Sequence, residues 1–237
     1  MTYSTSRPGF TAQHRRVGRA AAWGVFVLMF VYAVTTGLGF RSLESPQDPI
    51  GDPYFTVMEL LIVVIAPLLV VTMVAVHGYA TPATRLYSLT ALVFTTVLAC
   101  ITASVHFVVL TVGRHVAATG EPWVPLFFSF TWPSVVYALD ILAWDLFFGL
   151  SVLCAVPVFD GDGRLERAVR LLLVVSGVLS LAGLLGVPLA DMGVRNVGVV
   201  GYAVVAPAAF LLVGVLFGRT PPAPDETGQT DEPPSAV

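Results

Sequence analysis

Residues 55–76 read FTVMELLIVVIAPLLVVTMVAV. This run of 22 residues holds one ionisable side chain, Glu59, and one proline, Pro67. At 1.5 Å per residue a helix of that length is about 33 Å long, enough to cross a hydrocarbon core of about 30 Å. A helix on the surface of a water-soluble globule needs a polar face, and this stretch has none. It reads as a membrane span.

The rest of the chain repeats the pattern. Of 237 residues 56% are hydrophobic and 11% charged, and mean hydropathy is +0.84. A soluble domain carries about 25% charged residues, so this chain has too little polar surface to cover a water-exposed fold. Apolar blocks fall at residues 20–40, 55–76, 86–112, 133–158, 168–190 and 196–217. They predict an all-α integral membrane protein, a six-transmembrane-helix bundle. The first block is too long for a signal peptide and lacks a small-residue cleavage site, so it is read as the first helix. Pro133 suits the first turn of the fourth helix, where a missing N–H costs nothing. The aromatic-rich segment 113–131 suits an interfacial belt, with room for a short re-entrant piece.

Three regions follow: a basic cytoplasmic segment 1–19, a transmembrane domain 20–218, and an acidic, proline-rich cytoplasmic tail 219–237 expected to be disordered. The arginines orient the bundle. Arg7, Arg15, Arg16, Arg19, Arg85, Arg164, Arg167, Arg170 and Arg219 share one side, against Arg41, Arg114 and Arg195 on the other. The positive-inside rule then places both termini in the cytoplasm, an N-in/C-in protein of the cell (cytoplasmic) membrane. Its expected partners are membrane lipids and a small polar solute or cation. The basic arm meets lipid headgroups, and nothing points to nucleic acid.

Charge near the middle of a bilayer costs at least about 2.5 kcal/mol, so ionisable residues inside spans mark interior or functional positions. Glu59, His106, Asp140 and Asp145 are such residues, and Arg195 sits at the junction before the last span. Counted along the helix, Glu59, His106 and Asp140 lie roughly 6, 9 and 10 Å below the outer ends of three different helices, and Asp145 lies roughly 18 Å down. Thr95, Thr102 and His106 share one face of the third helix. Tyr137, Asp140 and Trp144 share a face of the fourth. Asp145, five residues from Asp140, should turn about 140° away toward another neighbour. The expected site is therefore an outward-facing polar cavity of Glu59, His106, Asp140, Asp145, Tyr137, Trp144 and Arg195. A His106–Asp140 pair there can carry a proton or hold a cation. The structural alternative is a clasp, with His106 bonded to Asp140 and Glu59 paired with Arg195.

Several activities are excluded by what is missing. The sequence has no lysine, which rules out a Schiff-base retinal site. Cys100 and Cys154 lie at different depths, against a disulfide. His77 and His106 lie in opposite halves, against paired haem ligands. No zinc-ligand spacing or phosphate-binding glycine loop is present, so neither a metal nor a cofactor is expected. Small residues at Ser176/Ser180, Ala182/Gly186 and Gly214/Gly218 suit close helix packing. Three functions fit: binding or transport of a small solute, proton or cation; an enzyme acting on a lipid at the outer leaflet; or a structural or accessory subunit.

Overall fold

A computed structural model describes residue 7, residues 9–45 and residues 48–223. The expected tail beyond residue 223 lies outside the described residues, as do residues 1–6 of the N-terminal segment. Six helices are long and apolar enough to cross a membrane: α1 Ala12–Arg41, α2 Tyr54–Tyr79, α3 Arg85–Ala117, α4 Val135–Val158, α5 Arg164–Leu189 and α6 Met192–Arg219. A short helix, Val124–Phe128, lies in the α3–α4 connection. Among the described residues there is no strand.

The helix starts differ from the sequence reading in three places. α1 begins at Ala12, well before residue 20, because Thr11 and His14 form a reciprocal cap and the basic residues that follow are good helix formers. Ser134 caps α4 by accepting from the Tyr137 N–H, which leaves Pro133 outside the helix. α6 begins at Met192, where the Asp191 carboxylate accepts from the N–H groups of Gly193 (2.8 Å) and Val194 (3.2 Å). Arg195 is therefore a buried residue of α6, 5% exposed, and not a charge at a surface junction.

Each helix packs against the next in sequence, and α6 returns to α1, so the bundle is a closed ring in chain order. Close packing comes from small residues. A Cβ on Gly177 would meet the Gly149 carbonyl oxygen at 2.9 Å, joining α5 to α4. One on Gly183 would meet the Gly198 Cα at 2.8 Å, joining α5 to α6. Gly18 and Gly214 bring α1 and α6 together against Phe217 and Trp23. Ser176 donates to the Gly201 carbonyl (2.9 Å) across the α5–α6 contact.

The two ends of the ring differ. At one end Phe10, Tyr79 and Phe217 form an aromatic plug, with Phe159 stacked on Tyr79. Arg7 lies over the Tyr79 ring and pairs with Asp160 at 2.6 Å. The Ala223 N–H donates to the Phe10 carbonyl at 2.8 Å, so both ends of the described chain meet here. This terminal end is sealed. At the far end, Arg114 in the last turn of α3 pairs with Asp52 before α2 at 2.7 Å. Hydrogen bonds from Thr56 and from the Arg114 guanidinium hold the Asp52 carboxyl below the usual carboxylate range.

Candidate functional site

Between the Asp52–Arg114 clasp and the apolar middle of the ring lies a cavity of about 900 Å³. Glu59, His106, Tyr137, Asp140, Trp144 and Arg195 all line it. Asp145 stands behind the wall.

The helices place these groups in two linked halves. On one side, α2 and α3 bring Glu59 to His106, with Oε2 2.8 Å from Nδ1. Phe130, from the α3–α4 connection, stacks on the imidazole at 5.3 Å between ring centroids. That connection folds inward, and Phe128, Ser129, Phe130 and Thr131 line the cavity. On the other side, α6 brings Arg195 to α4. Its Nε donates to Asp145 Oδ2 at 3.2 Å, and its Nη2 lies 3.5 Å from Asp140 Oδ2. The guanidinium also lies over Tyr137 (5.1 Å) and Tyr202 (5.7 Å). Asp140 joins the halves, because its Oδ1 is 3.6 Å from His106 Nε2.

Two expectations from sequence are corrected. Glu59 is bonded to His106 and not paired with Arg195, because Arg195 lies within α6 and points its guanidinium at α4. Asp145 leaves the cavity for Gly183 of α5 and Gly198 of α6, as its spacing implied, but it is not independent of Asp140, because both face Arg195. Residues Leu142–Phe148 form a π-helical segment, which takes more residues per turn than an α-helix. Five residues then bring Asp145 round much closer to Asp140, and one guanidinium reaches both. The Asp145 side chain is fully buried, with Oδ1 against the bare Cα atoms of Gly183 and Gly198. A side chain at Gly198 would occupy the carboxylate's place.

Sequence reasoning missed Tyr32 on α1 and Tyr202 on α6, both lining the cavity. Tyr202 packs on Trp144 at 5.2 Å. It sits in a second π-helical segment, Val200–Val205, directly before Pro207. Pro207 has no N–H to donate, and the widened turn accommodates that loss. The π turn that places it has no signature in the sequence. Pro67, by contrast, lies within a continuous α2.

The α3 stripe is buried as its spacing implied. Thr95 bonds Ser151 of α4 at 2.5 Å, while Thr102 Oγ1, nearer His106, has no hydrogen-bond partner. His106 Nε2, Asp145 Oδ1 and Arg195 Nη2 are likewise buried without one. His115 is exposed and bonds the Thr111 carbonyl, away from the cavity. Cys100 and Cys154 are unbridged. Among the described residues no three His, Cys, Asp or Glu side chains are placed to hold a metal ion.

Buried charge is tolerable when it is paired. Glu59 with His106, and Asp145 with Arg195, make two such pairs. Asp140 touches both cations and owns neither. Compared with known proteins, the chain matches no family model, no curated protein and no solved structure. What the fold establishes is a polytopic membrane protein of six apolar helices with this cluster inside it.

Proposed function

We propose that the protein binds a small molecule in this cavity and that its cluster of three carboxylates takes up a proton as it does so. The observation that carries the reading is the count of charges: Glu59, Asp140 and Asp145 face one guanidinium and one imidazole. Even with His106 protonated, the cluster is one positive charge short. A low-dielectric site favours neutrality, so one proton held among the three carboxylates completes it. The groups facing Asp140 are His106 of α3, Arg195 of α6, and beyond them Glu59 of α2 and Asp145 of α4. The phenols of Tyr32, Tyr137 and Tyr202 complete the surround. The apolar seal at the terminal end argues against an open channel, so passage across the membrane would require the ring to rearrange.

The test is a pH titration of the protein in lipid nanodiscs, followed in the infrared. Removing one carboxylate leaves the cluster neutral without a proton, so the cluster's protonated-carboxyl band should be lost in Asp140→Asn, which should retain wild-type helix content. A band unchanged in Asp140→Asn, or a variant that only unfolds while Asp140→Glu shows no titrating band, would leave these groups as a clasp in a structural subunit.

One observation favours a second reading, an acid–base enzyme acting on a lipid. Glu59 orients the imidazole through Nδ1, and Nε2 is left toward the cavity, open to a bound substrate. Product formed from a bound lipid, lost in Glu59→Gln with binding retained, would select it.

A further inference from the structure

The ring is closed unevenly. α1 packs closely on the Ala206–Arg219 half of α6, through Gly18, Gly214 and Gly218, and has no comparable contact with the Met192–Val205 half. At that far half the two helices part, and the cavity lies behind the gap. Ala33, Thr36 and Gly37 of α1 line one edge, and Val199, Ala203 and Val204 of α6 line the other. A side chain built on Gly37 would meet nothing within 4 Å. Val204 is 65% exposed. In a six-span protein this gap faces lipid, so the cavity has a side door in the plane of the bilayer.

What waits behind the door is specific. His106 Nε2 and Arg195 Nη2 belong to side chains 6% exposed, line the cavity and lack a hydrogen-bond partner. Both lie beyond hydrogen-bond reach of Asp140, at 3.6 and 3.5 Å. Beside an ionised Asp140, electrostatics keep a hydrogen on Nε2, so both atoms are unused donors. They call for an acceptor oxygen. An anion's oxygen would add negative charge beside three carboxylates, Glu59, Asp140 and Asp145. A cation would stand against the Arg195 guanidinium. A neutral carbonyl oxygen satisfies both donors and adds no charge. The remaining walls are rings and alkyl groups, among them Tyr32, Phe55, Phe130, Trp144 and Tyr202. They suit a flat, apolar body.

We infer that the cavity receives a neutral, membrane-soluble carbonyl compound with an aromatic body, which slips in between α1 and α6 and accepts hydrogen bonds from His106 and Arg195. The inference rests on the binding reading above and names the ligand class for that same site.

The probe is an alkyl-substituted 1,4-naphthoquinone, ¹³C-labelled at its carbonyls and added to the protein in nanodiscs. Equilibrium dialysis reads saturable binding, and infrared difference spectra read the carbonyl stretch. Wild type should bind saturably, and the labelled carbonyl band should move to lower frequency, as hydrogen bonding requires. His106→Gln should weaken binding at least tenfold and abolish part of the band shift. Should that variant not fold, Ala203→Trp serves. It fills the door, leaves every charged group in place, and should weaken binding at least tenfold. No protein-dependent band shift in wild type overturns the inference, as does saturable binding of decanoate or decyltrimethylammonium in place of the quinone. Wild-type binding by Ala203→Trp overturns the sideways route. If the quinone fails while the cluster's carboxyl band behaves as expected, this inference falls and the proton reading stands. If the quinone binds and that band is missing, the reverse holds.

Discussion

At the scale of single residues, the molecule turns on Arg195. One guanidinium satisfies Asp145 through Nε, faces Asp140 through Nη2 and rests over two tyrosine rings. Asp145 is the partner that holds it, since that carboxylate is fully buried and has no access to the cavity. Asp145→Asn keeps the shape and removes the charge, leaving Arg195 with only the looser Asp140. We expect a loss on the order of 3 kcal/mol, the usual scale for breaking a buried pair from one side. Reversible unfolding in bicelles would measure it, and a variant as stable as wild type would show that Arg195 does not depend on Asp145. Glu59, His106 and Asp140 were legible as site residues in the sequence alone, because an ionisable group inside an apolar helix announces itself. Arg195 was legible as a residue but not as a partner. Its position beside a turn suggested the interface, and only the cap at Asp191 pulls it inside α6.

At the scale of elements, the irregular turns decide what meets what. The six spans are readable because each is a long apolar run. The π-helical segments are not, because widening a helical turn depends on neighbours far away in sequence. The segment at Leu142–Phe148 carries Asp145 to where the Arg195 guanidinium reaches it as well as Asp140. Without the one at Val200–Val205, Tyr202 would not reach Trp144 as it does. The α5–α6 junction is as tight as a helix reversal allows. The Asp191 N–H reaches back to the Gly186 carbonyl at 2.9 Å, and Ala190 takes the left-handed conformation with φ 51°. Glycine is the usual residue there, since a Cβ in that conformation costs about 1–2 kcal/mol. Ala190→Gly should therefore stabilise the protein by about 1 kcal/mol, read as a raised unfolding midpoint. An unchanged or lowered midpoint would mean that the junction is not strained.

At the scale of the whole molecule, both ends of the described chain meet at the sealed end, and the cavity lies at the other. The positive-inside rule, applied to the arginines, predicts that the sealed end is cytoplasmic. Moving Arg195 from the junction into α6 sharpens that bias, because only Arg41 and Arg114 remain at the far end. In a background with Cys100 and Cys154 replaced by alanine, Thr119→Cys should react with a membrane-impermeant maleimide on intact cells. Asp162→Cys should react only after permeabilisation. The opposite pattern would invert the topology and turn the cavity toward the cytoplasm. The ring order has a consequence for how such a protein is made. Asp145 and Arg195 are 50 residues apart. At about 5–20 residues per second, a ribosome completes α4 some 2–7 s before Arg195 exists. Through that interval Asp145 sits on a nascent helix without its partner, resisting release into lipid by about 2.5–3.5 kcal/mol. α4 should thus linger at the insertion machinery until α6 arrives. A chain interrupted before α6 would expose the very charge that marks an orphaned helix for removal.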